Sequence, residues 1–180
     1  MDNTENKYFV GNTQLHVTDD TQSISFPVLV HYPTHEVSSP TAFGNFVMDV
    51  SVDAKIATGK FPLVIISHGN SGSHLLYRTI SMYLAEQGFV LAMLEHFGNN
   101  RNNNTLENTI ENLKNRPRHV SLTIDAVLFE TRFDEHILFE KIAVIGHSMF
   151  FQNCSQPILL TFVEVRNYCY LCFEKIQYHK

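Results

Sequence analysis

Three short apolar runs restrict the fold of this chain more than any other feature of its sequence. They occupy residues 61–67, 89–94 and 141–146, and each has the length of a strand. Unbroken apolar runs of this length are typical of strands that are buried on both faces of a parallel sheet. Because helix-length segments separate the runs, the alternation predicts a three-layer α/β architecture with a right-handed, mostly parallel sheet.

Two amphipathic helices are predicted between these runs, each with apolar residues at i, i+4, i+7 and i+8. The apolar residues are Leu76, Ile80, Tyr83 and Leu84 in the first helix, and Val120, Ile124, Val127 and Leu128 in the second. Ser73 and Gly88 are placed to cap the two ends of the first helix. Pro117 is placed to open the second helix in its first turn. We expect both apolar stripes to lie in the core.

The remaining segments carry weaker patterns. Residues 12–18 and 24–32 have strand character on either side of the Asp19-Asp20 turn, so we expect an antiparallel pair at the edge of the sheet. Residues 33–60 contain two prolines and two glycines and show no sustained period, so they are interpreted as mostly loop. The asparagine-rich run 99–104 is interpreted as a solvated connection.

Length and charge exclude several classes of function. The chain has 180 residues and a net charge of −5, and we expect one domain-sized unit at this length. No apolar run approaches the roughly 20 residues of a membrane-spanning helix, and the first residues lack the pattern of a secretory signal. The cationic residues form no basic stripe, which argues against a nucleic-acid partner. We therefore expect a cytoplasmic protein with no membrane span.

Two turns that follow predicted strands carry the strongest functional signal. Gly146-His147-Ser148-Met149 comes after the third apolar run, where a sharp strand-to-helix turn would project the Ser148 hydroxyl beyond the sheet. The run 68–72, His-Gly-Asn-Ser-Gly, comes after the first apolar run. Ligands of such sheets bind at the carboxyl ends of the strands, so the two turns should meet. The backbone N–H groups of Asn70 and Met149 would then point at one oxyanion.

The stretch from about residue 10 to Met149 resembles an α/β-hydrolase of the platelet-activating-factor acetylhydrolase and dienelactone-hydrolase-like group. The resemblance lies in residues 61–69, Glu95-His96, Arg116-Pro117 and residues 146–149. It implies a serine esterase that acts on short-chain carboxylic esters, with a small-molecule ester as its partner and no metal or organic cofactor. The site residues that it implies are Ser148 as the nucleophile, Asn70 and Met149 as the oxyanion hole, and His68, Gly69 and His147 as residues that shape the pocket.

The sequence departs from the family pattern after Met149. The family has glycine two places after the serine, whereas this chain has Phe150, a bulky residue that would strain the turn. The acid and base of the triad follow the serine in chain order, and the candidates here are Glu164 or Glu174 and then His179. A βαβ unit needs about 30 residues. The residues after Ser148 therefore leave too little room for the strands that should carry this acid and base. We expect impaired activity, and a frayed terminal residue is the alternative interpretation of His179.

Residues 150–180 differ in composition from the rest of the chain. They contain all three cysteines, Cys154, Cys169 and Cys172, and no glycine, alanine or aspartate. We interpret residues 1–149 as the N-terminal part of a hydrolase domain and residues 150–180 as an atypical tail, out of frame or foreign. The C-x-x-C spacing of Cys169 and Cys172 has no second pair and no flanking βαβ pattern, which argues against a metal or redox site.

The sequence leaves two other functions open. A truncated, non-catalytic remnant would expose an open sheet edge, through which it would self-associate or bind a partner. A small-molecule binding module would use the same pocket without turnover.

Overall fold

The three apolar runs form strands, and one helix lies between each consecutive pair. The structure, a computed structural model, describes residues 8–147. Its elements in chain order are β1 (Phe9–Asp19), β2 (Ile24–Thr34), β3 (Ser39–Phe43), β4 (Phe46–Val52), β5 (Phe61–Ser67), α1 (Arg78–Glu86), β6 (Val90–Leu94), α2 (Ile110–Phe129) and β7 (Ile137–Gly146). The alternation of strand and helix predicted after residue 60 is therefore confirmed.

All seven described strands belong to one mixed sheet with the order β3-β4-β1-β2-β6-β5-β7. β5 runs parallel to β6 on one side and to β7 on the other. β2 is antiparallel to β6 and to β1, which confirms the predicted antiparallel pair. The apolar runs thus form three adjacent parallel strands, and their carboxyl ends lie at the same end of the sheet.

Consecutive residues of β5 contribute to two separate layers of core, because side chains of a strand alternate between the faces of the sheet. Ile65 lies in one cluster with Val120 and Val127 of α2. Ile66 lies in the other cluster with Ala85 of α1. The two helices therefore cover opposite faces, which confirms the three-layer α/β architecture. Neither helix within residues 8–147 is long and apolar enough to cross a membrane.

The prediction that residues 33–60 are mostly loop is wrong. β3 and β4 form a hairpin there, and β4 pairs with β1. The turn residue Gly44 has a φ of +59°, as required at the first position of the tight turns that join hairpin strands. The hairpin lies outside β1 and β2, so the edge position predicted for that pair is also wrong. The buried Met48 and Val50 alternate with more exposed neighbours, but this pattern is too short to stand out among the turn residues.

α1 begins later than predicted and turns a different face to the sheet. Its first residue is Arg78, and the Ser73 hydroxyl accepts the Leu75 N–H in the preceding turn instead of capping the helix. Three residues of the predicted apolar stripe are exposed: Leu76 by 55%, Ile80 by 49% and Tyr83 by 59%. The prediction that this stripe is core is wrong at these three positions.

Small residues on the buried face of α1 explain the difference. Ser81 and Ala85 are its buried residues, and they let the helix lie close to β2. The Ser81 hydroxyl is 2.8 Å from Nδ1 of the buried His31. Leu84 packs against the same cluster as Ala85. Gly88 has a φ of +92°, which confirms the predicted left-handed residue after the helix.

α2 starts at Ile110, so the prediction that Pro117 opens it is wrong. The helix is capped by Thr109, whose side-chain oxygen accepts the Asn112 N–H at 3.1 Å. Pro117 lies inside the helix, which continues to Phe129. The predicted apolar stripe is confirmed, since Val120 and Val127 are buried and Ile124 and Leu128 pack against the same core.

Substitution of Gly11 tests the packing between β1 and β2. A Cβ atom at Gly11 would come within 2.2 Å of the Tyr32 ring, which is fully buried. We expect Gly11→Ala to lower the free energy of unfolding by about 1–3 kcal/mol, the usual effect of overpacking. Urea denaturation followed by circular dichroism measures the change. Gln14→Ala, at an exposed position of the same strand, should change it by less than about 0.5 kcal/mol. Equal effects of the two substitutions would contradict this account of the packing.

Candidate active site

The carboxyl ends of β5, β6 and β7 lie side by side, as the parallel register requires. Ser67 at the end of β5 is paired with Leu94 of β6 and with Gly146 of β7. Directly after β7, His147 donates its backbone N–H to the Ser67 carbonyl oxygen at 3.1 Å. The structure thus places the 68–72 turn beside the residue that precedes Ser148.

Several of the predicted site residues lie outside the described part of the chain. They are Ser148, Met149, Phe150, Glu164, Glu174, His179 and the three cysteines. The roles predicted for Ser148, Met149 and His179 therefore stay predictions. The division of the chain between residues 149 and 150 stays a prediction for the same reason.

His68 closes the turn after β5 as a neutral ring. Its Nε2 atom accepts the His96 N–H at 3.1 Å, so its hydrogen is on Nδ1, which donates to the Gly69 carbonyl oxygen at 2.7 Å. Burial lowers the pKa of His68 to about 4, which keeps the ring uncharged at neutral pH. A Cβ atom at Gly72 would come within 2.7 Å of the same Nδ1 atom, so the turn requires glycine there. The structure thus shows how His68 and glycine fix this turn, and the pocket-shaping roles of His68 and Gly69 stay predictions.

Asn70 has a backbone N–H with no acceptor among residues 8–147. Its side chain is held on both sides. Oδ1 accepts from Asn99 Nδ2 at 2.6 Å, and Nδ2 donates to a carboxylate oxygen of Glu107. An oxyanion hole needs N–H donors that are in place before charge develops. The oxyanion role of Asn70 stays a prediction, with which its free N–H and fixed side chain are consistent.

The asparagine-rich run 99–104 begins with two buried residues, so its interpretation as a solvated connection is wrong for Asn99 and Asn100. Residues 101–103 are exposed, as that interpretation predicts. Asn99 is 0% exposed and Asn100 is 8% exposed. The Asn100 side chain donates to the His96 carbonyl oxygen at 2.8 Å and accepts the N–H groups of Asn102 and Asn103. Asparagine fixes tight loops by such bonds to nearby backbone. Composition alone does not distinguish asparagines with this role from solvated ones.

Arg116 of α2 is a buried cation that pairs with no carboxylate in the described part of the chain. One terminal nitrogen, NH1, donates to Asn99 Oδ1 at 2.7 Å. The other, NH2, donates to the His68 carbonyl oxygen and to Ser67 Oγ, the latter at 3.2 Å. Burial lowers the pKa of Arg116 to about 10, so the guanidinium stays charged at neutral pH. The sequence shows Arg116-Pro117 as a motif, but it gives no sign of these three acceptors.

A chain of buried hydrogen bonds runs from Arg116 to His119. Ser67 Oγ is 2.8 Å from His96 Nε2, and His96 Nδ1 is 3.2 Å from His119 Nδ1. Ser67 Oγ accepts from Arg116 and donates its own hydrogen to His96 Nε2. The hydrogen of the neutral His96 ring is then on Nδ1, which donates to His119 Nδ1. Burial lowers the pKa of His119 to about 4 and that of His96 well below 6.5. The chain of bonds therefore joins the sheet to α2 through uncharged rings.

Glu95 and His74 form a hydrogen-bonded pair at the same end of the sheet. His74 Nδ1 donates to Glu95 Oε2 at 2.8 Å. Burial alone would raise the pKa of Glu95, but the hydrogen bond and the electrostatic attraction of His74 hold it below its usual value. The pair ties the end of β6 to the turn before α1. Glu95 and His96 thus both bond to neighbouring segments.

Comparison with known proteins decides the family. Residues 28–122, more than half of the chain, match the family described as platelet-activating factor acetylhydrolase, isoform II. The chain belongs to this family. The matched segment includes the 68–72 turn, the asparagine-rich run and Arg116, so the platelet-activating-factor acetylhydrolase resemblance seen in the sequence is confirmed.

Two curated relatives carry the name platelet-activating factor acetylhydrolase. The protein from Bos taurus is 38% identical over 55 residues, and the protein from Canis lupus familiaris is 34% identical over 55 residues. Each aligned segment is 30% of this chain and 12% of the relative. The match therefore spans about one eighth of the length of these relatives.

Solved structures show the same fold at low sequence identity. A ferulic acid esterase from Streptomyces cinnamoneus has a TM-score of 0.66 and 18% identity, over 79% of this chain and 53% of that one. An acylaminoacyl peptidase from Pyrococcus horikoshii has a TM-score of 0.50 and 11% identity, over 77% of this chain and 19% of that one. The likeness confirms the predicted α/β-hydrolase type of sheet.

The buried histidines predict that this site loses stability in mild acid. The pKa of His68 and that of His119 are each about 4 in the folded protein, against 6.5 for an ordinary histidine. Between pH 6.5 and pH 4 the unfolded chain therefore binds protons that the folded chain does not, and the free energy of unfolding falls as pH falls. Urea denaturation at pH 7, 6 and 5 measures the slope.

His119→Asn should reduce that slope between pH 6 and pH 5 by about 1 kcal/mol per pH unit, because it removes one of these groups. An unchanged slope in this variant would contradict a neutral, buried His119.

Proposed function

We propose that this protein hydrolyses short-chain carboxylic esters through an acyl-enzyme, with Ser148 as the nucleophile. The observation that carries the proposal is the Asn70 N–H, which has no acceptor among residues 8–147 and lies in the turn beside His147. Membership of the acetylhydrolase family supports the same class of reaction. The name of the two mammalian relatives favours a small acyl group such as acetyl.

The proposed reaction has two steps. The Ser148 hydroxyl attacks the ester carbonyl carbon and the alcohol leaves, after which water attacks the acyl-enzyme and releases the acid. In each step the carbonyl oxygen gains negative charge, which the N–H groups of Asn70 and Met149 would stabilise. The buried Arg116 cation, which donates to the His68 carbonyl oxygen at the start of the turn, would add positive potential there, opposed by the Glu107 carboxylate that holds Asn70.

A general base must take the Ser148 proton in the first step and pass it to the leaving alcohol. In the second step it must take a proton from the attacking water and return one to Ser148. His179 is our candidate for this base, with Glu164 or Glu174 as the acid that orients it. Labelling of the nucleophile tests the assembled site as a whole, since an unactivated serine reacts slowly with phosphorylating reagents.

Labelling of the full chain with a fluorescent fluorophosphonate probe tests the proposal. We expect the parent protein to be labelled and Ser148→Ala not to be labelled. Ser121→Ala is the matched control, because Ser121 lies exposed on α2 with its hydroxyl bonded to the Pro117 carbonyl oxygen. It should be labelled like the parent. Hydrolysis of p-nitrophenyl acetate should then exceed hydrolysis of p-nitrophenyl esters with longer acyl chains. Labelling that survives Ser148→Ala would overturn the assignment of the nucleophile.

One observation favours a second candidate function, a non-catalytic chain that self-associates or binds a partner through its sheet edge. Within residues 8–147, β7 pairs only with β5, and its residues 143–145 are half-buried. A strand with one free edge is a template for pairing with another chain. Folded protein that the probe does not label and that elutes as a dimer would support this candidate. A labelled monomer would contradict it.

A further inference from the structure

We propose that Asn99 is a positioning residue that holds Asn70, and with it the Asn70 N–H, in the orientation an oxyanion donor requires. Arg116 fixes the Asn99 side chain, and Glu107 holds Asn70 from the other side. The inference rests on the proposed function, because that function gives the Asn70 N–H its role. Its test therefore includes a measurement that does not depend on activity.

The hydrogen bonds of Asn99 leave its amide one orientation. Oδ1 accepts from Arg116 NH1 at 2.7 Å, so Nδ2 must point away from the cation. Nδ2 then donates to Asn70 Oδ1 and to Asn104 Oδ1, each at 2.6 Å. If the nitrogen and oxygen of the Asn99 amide were exchanged, Nδ2 would face the NH1 donor of Arg116. Oδ1 would then face the Oδ1 acceptors of Asn70 and Asn104. The cation thus dictates that Asn99 offers donors to Asn70.

Arg116 is buried without an ion pair, which indicates that its guanidinium serves to hold neutral groups in place. A buried charge is unfavourable unless its donors are satisfied. In Arg116 the NH1 and NH2 groups are paired, whereas Nε has no partner among residues 8–147. No carboxylate among residues 8–147 pairs with Arg116, and its acceptors are the neutral groups of Ser67, His68 and Asn99. All three groups border the start of the 68–72 turn. The guanidinium therefore organises the turn and the asparagine loop together.

Glu107 completes the hold on Asn70. One of its carboxylate oxygens accepts from Asn70 Nδ2, and the other accepts from Asn104 Nδ2 at 2.6 Å. Asn104 Nδ2 also donates to Ser71 Oγ at 2.8 Å. The side chains of two consecutive turn residues, Asn70 and Ser71, are thus bonded to the 99–107 segment. Two turn residues held in this way leave the intervening backbone little freedom to rotate.

Asn99→Asp separates positioning from simple stability. An aspartate keeps the acceptor for Arg116, and adds a charge that pairs with it, but it has no donor for Asn70. Asn102→Asp is the matched control, because it makes the same change at an exposed position of the same loop. Two readouts are taken on the full chain: the ¹⁵N relaxation order parameter of the Asn70 N–H, and the rate of labelling by the fluorophosphonate probe.

We expect the order parameter of the Asn70 N–H to fall in Asn99→Asp from about 0.85 to below about 0.6, the range of a flexible backbone. The labelling rate should fall at least about tenfold, a fraction of what complete loss of an oxyanion donor causes. Asn102→Asp should match the parent in both readouts. If Asn99→Asp does not fold, Glu107→Ala takes its place, because Glu107 is exposed and holds Asn70 from the opposite side.

The two readouts distinguish failure of this inference from failure of the proposed function. An Asn70 order parameter that is equal in the parent, Asn99→Asp and Glu107→Ala would overturn the inference, whether or not the parent is labelled. A parent that is not labelled, together with a lower order parameter in Asn99→Asp, would overturn the proposed function and support the positioning role. A lower order parameter with unchanged labelling would overturn the claim that this position matters for the oxyanion donor.

Discussion

The guanidinium of Arg116 joins segments that the chain brings separately to one end of the sheet. Ser67 ends β5, His68 begins the turn that follows it, and Asn99 lies in the loop after β6. Each segment supplies an acceptor to the same cation, which sits on α2. Loss of any one acceptor would leave a buried donor unpaired, at a cost of about 1–3 kcal/mol or more for a charged group. The turn, the loop and the helix are therefore held as one unit.

The buried histidines fit this unit because they are uncharged. Burial, and after it the nearby Arg116 charge, lowers the pKa of His68, His96 and His119. Each ring can therefore accept a hydrogen bond where the network needs an acceptor. The groups that accept hydrogen bonds from the Arg116 guanidinium are neutral, while the carboxylates of Glu95 and Glu107 lie at the same end of the sheet. The cation therefore serves to hold the turn and the asparagine loop together.

Much of the fold could be predicted from the sequence, because the apolar runs of β5 and β6 are buried on both faces. The third run also forms a strand, but β7 is mostly half-buried or exposed, so its predicted burial is wrong. The β3–β4 hairpin was harder to predict, since only Met48 and Val50 show its alternation. The apolar stripe of α1 predicted the wrong buried face. Ser81 and Ala85 face the sheet, while Leu76 and Ile80 are exposed. Size, as well as polarity, decides which face of a helix can approach a sheet.

The candidate site was predictable only in part. The 68–72 turn follows a strand and contains glycine, so local sequence identifies it. The support of that turn comes from Asn99, Glu107 and Arg116, which lie about 30 to 50 residues further along the chain and meet it only through the order of the strands. No local pattern reports such long-range bonds, and a run of asparagines has the composition of a solvated loop.

A crystal structure of the protein after reaction with a p-nitrophenyl alkylphosphonate would test the central claim most directly. The phosphonyl group bound to the nucleophile has the charge and shape of the tetrahedral intermediate. We predict a bond from phosphorus to Ser148 and a phosphonyl oxygen about 2.7–3.1 Å from the Asn70 nitrogen. Asn70 should still be bonded to Asn99 and Glu107. A phosphonate on another residue, or one whose oxygen points away from the Asn70 N–H, would contradict this account of the site.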